Sequence, residues 1–329
     1  MEIFKYNRRN ILVLVVVLVL TAVLFFAWYC YKGLTGTSGD RGNIPYPAVR
    51  STGSIFKPLA RKSVQSIVDI TLDNTGYIRW KACTGELDVL IEEADLLLGK
   101  ADEVLVALSL SPQEGLVACY TREGGRLNYV GKIPNLLPVT GIWTLENTRL
   151  ENRLLIVEQV QDEMLGAFFN ARYSDVFLPG DGHFDRVLGL LTNYNAYWNR
   201  AWDGVKEDAS WLWLNQSAKV EYSDTGETIW VDYVQTLLES MVTDTDSIPE
   251  AEGFAARYFR MVKEEYKWSS DWGLYILGEY TDSQTGERVA LLEDYRNNVS
   301  SFIRGTRFDM VKVIDQNGEI SIMSADRLQ

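Results

Sequence analysis

The stretch Glu103–Val130, EVLVALSLSPQEGLVACYTREGGRLNYV, contains three strand-like runs separated by two turn signals. In the first run, apolar side chains alternate with smaller or polar ones, at Val104, Val106, Leu108 and Leu110. A period of two is typical of a strand that buries one face. Pro-Gln-Glu-Gly and Gly-Gly supply the turns, because proline and glycine favour the backbone angles that reverse a chain. The stretch therefore predicts a three-stranded antiparallel meander.

The same pattern recurs further along the chain. Five more turn signals separate short strand-like runs, at residues 161–163, 179–182, 224–226, 283–286 and 315–318. No strict repeat period accompanies them, so a complete propeller is not indicated. The sequence predicts an α+β fold in which β dominates, built as an antiparallel meander: a sandwich, a barrel or a blade-like, incomplete propeller.

Helices are expected in few places. Apolar residues keep helical spacing over Glu86–Leu98, and Gly99 follows as a stop signal. A second helix is predicted over residues 250–266, and a short one over residues 193–203. These segments interrupt the β pattern without replacing it.

The segment Ile11–Tyr31, ILVLVVVLVLTAVLFFAWYCY, is apolar throughout and carries no charge. At 1.5 Å per helical residue it spans the roughly 30 Å hydrocarbon layer of a bilayer. A cleaved signal peptide would have a shorter apolar run and a small-x-small cleavage site, which this segment lacks. We expect a single-pass signal anchor. The basic residues Lys5, Arg8 and Arg9 before it favour a cytoplasmic N-terminus.

Charge divides the 329-residue chain, whose net charge is −13. Residues 1–62 carry nine basic and two acidic residues, a net of +7, and residues 63–329 carry 23 basic and 43 acidic residues, a net of −20. We therefore predict a cytoplasmic tail (1–10), a transmembrane helix (11–31), a flexible basic linker (32–62) and an acidic extracytoplasmic domain (63–329), which could subdivide near 192–245. The negative domain excludes nucleic acid as a partner.

One turn resembles a known motif. Gly180-Asp181-Gly182-His183-Phe184-Asp185 is similar to the GDGxxD part of the calcium loops in FG-GAP or VCBS-type propeller blades, over about a dozen residues. The resemblance implies a blade-like hairpin, with Asp181 and Asp185 as candidate metal ligands. The chain departs from the motif at Phe177 and Pro179, which offer no side-chain oxygen to calcium. No metal site is therefore expected.

Motifs for catalysis are missing from the sequence. His183 is the only histidine, which excludes a multi-histidine metal site, and there is no Walker loop, GxSxG elbow or dinucleotide fingerprint. We expect no catalytic activity and no cofactor. Cys83 and Cys119 lie in the predicted domain and could form one disulfide or remain two free thiols.

Seven of the ten tryptophans fall within residues 198–272, among many acidic residues. Aromatic rings stack on the apolar faces of sugars, although large aromatics are also ordinary core residues. Trp211 and Trp213 would lie on one side of a strand, and Trp198 and Trp202 on one face of a helix. These four are the candidate binding residues for a glycan or a protein partner.

These observations predict a membrane-anchored extracytoplasmic protein that binds or scaffolds and does not catalyse. Its partners would be membrane lipid, through the anchor, and a protein or cell-wall glycan. One alternative is a cell-surface glycan-binding or carbohydrate-active protein that uses the tryptophan-rich region. A second alternative is a sensor lobe that acts through a membrane partner.

Overall fold

A computed structural model describes residues 44–45, 58–97, 103–123, 126–165, 168–203, 210–240, 242, 247–302 and 309–329. These residues all belong to one structural unit, Asn43–Gln329. The predicted tail, the membrane span and most of the predicted linker lie outside the described residues. Within the described ranges, no helix has the length and apolar character needed to cross a bilayer.

The described chain is dominated by antiparallel strands in three sheets, which confirms the predicted β-dominant class. Sheet 1 has the order β1-β5-β4-β3-β2, with strands β1 (Ile44–Pro45), β2 (Asp88–Ala94), β3 (Glu103–Ser111), β4 (Glu114–Glu123) and β5 (Arg126–Leu136). Sheet 2 follows chain order, with strands β6 (Val139–Leu145), β7 (Leu154–Asp162), β8 (Phe169–Pro179), β9 (Phe184–Asn199), β10 (Trp211–Tyr222), β11 (Thr228–Ser240), β12 (Ala255–Ser269) and β13 (Leu274–Ile276).

Sheet 3 also follows chain order, with strands β14 (Gly278–Thr281), β15 (Arg288–Asp294), β16 (Met310–Asp315) and β17 (Ile320–Ser324). The α-helix of the described chain is α1, Pro58–Thr75. Short 3-10 helices cover Ile78–Cys83, Arg200–Asp203, Ala251–Gly253, Val299–Phe302 and Ala325–Arg327.

Each of the seven predicted turns connects two paired strands. The predicted meander is confirmed as β3-β4-β5, and sheet 2 is itself a meander of eight strands in chain order. The turn that resembles a propeller loop joins β8 to β9. Its likeness to a propeller blade stays a prediction.

The helix predicted at Glu86–Leu98 is wrong, because this segment contains strand β2, which pairs with β3. Both faces of β2 contact apolar side chains. Val89 and Ile91 pack beside helix α1, while Leu90 and Ala94 pack toward sheet 2. Apolar residues on both faces of one strand reproduced the spacing of a helix.

The helices predicted over residues 250–266 and 193–203 are also wrong. The first segment is a 3-10 turn followed by β12, and the second is the end of β9 followed by Arg200–Asp203. Tyr258 and Met261, two apolar residues of the first segment, are 52% and 60% exposed. Pairing with the long strands β10 and β11 outweighs local helical preference here.

Helix α1 was not predicted and begins at Pro58, within residues assigned to the linker. Ile67, Val68 and Leu72 are buried against one face of sheet 1. Proline suits the first turn of a helix, and the spacing of these three apolar residues was the available signal. The other face of sheet 1 packs on the first strands of sheet 2, through Leu105, Ala107, Val117, Ile142, Leu155, Val157 and Phe177.

Sheet 2 curls so far that the segment after one edge strand, β6, contacts the other edge strand, β13. Asn147, which follows β6, donates from Nδ2 to the hydroxyl oxygen of Tyr275 in β13 at 3.1 Å and to the carbonyl of Gly226 at 3.2 Å. Seven strand spacings would separate β6 from β13 by about 34 Å in a flat sheet. Asn147 and Tyr275 are only 2% and 1% exposed, so this contact is buried. The curled concave face encloses Ile156, Val176 and Val231 among other apolar residues.

Gly226 occupies a position where a side chain would disrupt this closure. Its φ is +66°, and a Cβ there would lie 1.9 Å from the carbonyl oxygen of Glu146. Gly286 has a similar φ of +73° in another hairpin turn, but nothing lies within 4 Å of its Cβ position. Comparing a substitution at each of the two glycines therefore distinguishes the cost of backbone strain from the cost of steric overlap.

We expect Gly226→Ala to lower the free energy of unfolding by roughly 3 kcal/mol or more, and Gly286→Ala by about 1–2 kcal/mol, the cost of a left-handed alanine. Chemical denaturation of both variants measures the difference. Equal losses would contradict the proposed closure of sheet 2 at Gly226.

Contacts of Arg327 and Gln329 hold sheet 3 in place. The guanidinium of Arg327 donates to both carboxylate oxygens of Asp282, at 3.0 and 2.5 Å. Backbone hydrogen bonds between Thr281 and Gln329 reinforce this contact. The Arg327 hydrogen bonds lower the pKa of Asp282 to about 2.

This pKa predicts a specific dependence of stability on pH. An unfolded aspartate titrates near pH 4, so the stabilisation should be complete above about pH 4 and should disappear as the pH falls toward 2. We expect Asp282→Asn to lower the Tm by a few degrees at pH 7, with the difference from wild type closing at pH 2. Asp326→Asn, at an exposed neighbouring position, should show no such difference at either pH. A gap that persists at pH 2 would refute the ion-pair explanation.

Candidate functional site

A pocket opens on the concave face of sheet 2, between β6–β8 on one side and β10 on the other. Its volume is about 430 Å³. Trp143 of β6 and Tyr222 of β10 meet edge to face, with ring centroids 4.9 Å apart and planes at 88°. Four strand spacings of a flat sheet would separate these strands by about 19 Å, so the curl alone creates this aromatic wall. Ala218 and Val220 extend the apolar surface.

The pocket lining also carries two charged side chains, Glu158 of β7 and Arg172 of β8. Glu158 lies opposite Ser174 in the ladder, so Arg172 is its diagonal neighbour on the same face. Both side chains are exposed, and neither forms an ion pair with another residue that the structure describes. A carboxylate and a guanidinium are therefore available to a ligand.

Two local features set the shape of this polar side. A Cβ at Gly141 would lie 2.8 Å from Oε2 of Glu158, so the missing side chain makes room for the carboxylate. Thr192 Oγ1 donates to the carbonyl of Arg172 at 3.2 Å, which ties β9 to β8 at the pocket. Thr140 and Ser174 add hydroxyl groups to the lining.

The hydroxyl of Tyr222 stays protonated near neutral pH. Burial raises its pKa to about 12, and the nearby charge of Glu158 also raises the pKa. Tyr222 thus contributes a ring face and a neutral hydroxyl that can donate or accept a hydrogen bond. Glu158 is the single carboxylate that lines the pocket, so the lining offers no acid and base pair of the kind used in glycoside hydrolysis.

A second cavity, of about 60 Å³, lies on the same sheet near Glu264. Glu264 accepts hydrogen bonds from the Tyr266 hydroxyl at 2.7 Å and from Nδ2 of Asn297 at 3.0 Å, and burial raises its pKa. Arg260 donates to the carbonyls of Arg296 and Asn298. The space suits a water molecule or two, and these bonds hold the segment after β15 against sheet 2.

The four tryptophans of the predicted site lie on two different faces of sheet 2. Trp211 and Trp213 do lie on one side of β10, as expected from their spacing. Trp213 stacks on Tyr197 with centroids 5.2 Å apart, and Trp211 contacts Trp202 edge to face at 5.2 Å. Trp211 is 1% exposed and Trp202 is 49% exposed, so Trp202 offers most of the accessible ring surface of this pair.

Trp198 points to the other side of the sheet. It lies opposite Leu212 in the ladder and packs beside Leu214 and Val299. The expectation that Trp198 and Trp202 share a helical face is wrong, because Trp198 belongs to strand β9. Three of the four tryptophans therefore form one cluster on the outer face, without Trp198.

Asp181 and Asp185 lie in the β8–β9 turn, where Nε2 of His183 is 3.2 Å from Oδ2 of Asp185. No group of three or more histidine, cysteine or acidic side chains that could hold a metal ion occurs within the described ranges. Cys83 and Cys119 are both free thiols, which decides between the two alternatives left open by the sequence. Burial raises the pKa of Cys119 to about 12, so its thiol is unreactive.

The pocket residues could not be found from sequence motifs. Trp143, Glu158, Arg172 and Tyr222 come from four strands spread over eighty residues, and they meet because the sheet curls. Comparison with known proteins adds no independent assignment: no family model matches the chain, and neither the curated proteins nor the solved structures give a significant match.

Proposed function

We propose that this chain is a membrane-anchored extracytoplasmic binding protein without catalytic activity, and that it holds an uncharged saccharide unit in the concave pocket of sheet 2. The pocket combines an aromatic wall with an unpaired carboxylate and an unpaired guanidinium, and this combination carries the proposal. This proposal retains the glycan-binding alternative suggested by the sequence. It places the binding site at Trp143 and Tyr222, and not in the tryptophan-rich region.

The chemistry of the lining matches that of a sugar ring. The C–H face of a pyranose packs against aromatic rings, and its hydroxyl groups both donate and accept hydrogen bonds. Glu158 can accept from such hydroxyls, and Arg172 can donate to them. A volume of about 430 Å³ lies within the range of small-molecule sites and suits one or two sugar units.

Binding without hydrolysis follows from the single carboxylate. Glycoside hydrolysis commonly uses two carboxyl groups on either side of the scissile bond, and the lining contains only Glu158. The cavity near Glu264 is too small for a sugar. We therefore assign recognition, and not bond cleavage, to this site.

The support for the membrane anchor, and for its orientation in the membrane, comes from the sequence. Ile11–Tyr31 is long enough to span a bilayer, and the basic residues before it favour an extracytoplasmic C-terminal domain. Membrane lipid would be the partner of this segment. The net charge of −20 after residue 62 disfavours nucleic acid and leaves a neutral polymer, such as a cell-wall glycan, as a compatible ligand.

The test uses the full-length chain in mild detergent, titrated with a panel of neutral cell-wall oligosaccharides. We expect Trp143→Ala to raise the Kd of the best-bound oligosaccharide about ten-fold, since a lost stacking contact is worth roughly 1.4 kcal/mol. Arg172→Ala should weaken binding similarly. Isothermal calorimetry measures both, and Trp143→Phe should retain most of the affinity.

Trp202→Ala is the matched control, because Trp202 is exposed but lies outside the pocket. This substitution should leave the Kd unchanged. Loss of binding in Trp202→Ala alone would favour the alternative, a glycan surface on the outer aromatic cluster. Absence of binding to every oligosaccharide would refute the saccharide proposal.

A further inference from the structure

The pocket keeps two opposite charges apart although their side chains are within reach of each other. Glu158 of β7 lies opposite Ser174 of β8, and Arg172 is two residues from Ser174 on the same face. Diagonal neighbours of this kind lie about 7–8 Å apart, a gap that long side chains can bridge. An ion pair would be expected here, but over the described ranges none joins Glu158 to Arg172. A local feature therefore holds the two charges apart.

The carboxylate of Glu158 lies on the side of β7 that is away from Arg172. Strand β7 runs between β6 and β8, with Gly141 of β6 opposite Glu158 and Arg172 on β8. A Cβ at residue 141 would lie 2.8 Å from Oε2 and 3.3 Å from Cδ of Glu158. The carboxylate therefore occupies the space that a side chain at residue 141 would fill. A glycine leaves this space open, so the carboxylate lies over β6 while the guanidinium belongs to β8.

The backbone at residue 141 does not itself require glycine. Its φ lies outside the left-handed range, in contrast to the φ of +66° at Gly226. The three atoms nearest to a Cβ at residue 141 all belong to the side chain of Glu158, which is exposed and can rotate. An alanine would therefore displace the carboxylate and leave the backbone in place. The glycine matters here for the position of Glu158, and not for the fold.

We propose that Gly141 is a positioning residue of the pocket: it keeps Glu158 from pairing with Arg172, so that both groups stay available to the hydroxyls of a ligand. This inference rests on the proposed saccharide site and names a residue that determines its specificity. With a side chain at residue 141, the carboxylate moves from β6 toward β8, where the guanidinium attracts it. The pocket then satisfies its own charges and offers fewer hydrogen-bonding groups to a sugar.

Calorimetric titration of the full-length chain in mild detergent, with its best-bound neutral oligosaccharide, tests this role. We expect Gly141→Ala to raise the Kd about ten-fold, as Arg172→Ala does in the wild-type background. In the Gly141→Ala background, Arg172→Ala should raise the Kd by less than about two-fold more, because the guanidinium is already paired. A methyl group that merely blocked the pocket would make the two effects multiply to about a hundred-fold. That outcome would overturn the proposal.

Gly85→Ala is the matched control for the substitution of a glycine by alanine. Its φ also lies outside the left-handed range, and nothing lies within 4 Å of its Cβ position. Gly85 is exposed and does not line the pocket. This substitution should leave the Kd unchanged. An equal loss of affinity in Gly85→Ala and Gly141→Ala would contradict a specific role for Gly141.

A measurement without ligand distinguishes failure of this inference from failure of the saccharide proposal. Chemical denaturation of Glu158→Gln, Arg172→Gln and the double variant gives the coupling between the two side chains. The midpoint shifts should add in the wild-type background and should depart from additivity in the Gly141→Ala background, where the ion pair has formed. This result without binding of any oligosaccharide would refute the saccharide proposal alone. Additive shifts in both backgrounds, or coupling that is already present with Gly141, would overturn the inference.

Discussion

The buried contact among Asn147, Gly226 and Tyr275 holds the curl of sheet 2, because it joins the segment after edge strand β6 to the β10–β11 turn and to the opposite edge strand, β13. Separating them would leave a buried amide and a buried hydroxyl without partners, which costs more than the bonds themselves contribute. The same contact brings Trp143 beside Tyr222. The concave core, the pocket and its aromatic wall are all consequences of this closure.

The first sheet gives that curled sheet a rigid support. Strands β3 and β4 are buried on both faces, one against helix α1 and the other against the strands of sheet 2 that carry Glu158 and Arg172. Three layers thus stabilise the polar side of the pocket. The aromatic contact depends in addition on β10, which carries Tyr222 and lies next to the turn that contains Gly226.

Sequence patterns predicted what is local in this fold and failed where distant strands meet. Seven hairpins followed from turn residues such as Asp315-Gln-Asn-Gly, because those residues set backbone angles by themselves, whereas the short β12–β13 connection was not predicted. The segment Glu86–Leu98 was misread as a helix because β2 is buried on two faces, and α1 was missed although Ile67 and Leu72 had helical spacing. Trp143 and Tyr222 lie eighty residues apart with no motif between them, so the candidate site could not be predicted without the curl.

The charge of the pocket also bears on what it holds. The part of the chain that follows residue 62 has a net charge of −20, and such a field opposes an anionic ligand. Within the lining, Glu158 and Arg172 carry one charge of each sign, so the two charged groups together add no net charge that would select a cation or an anion. A neutral polyol can hydrogen-bond to both groups without bringing a like charge close to either one. This balance, together with the aromatic wall, supports the proposal of an uncharged sugar.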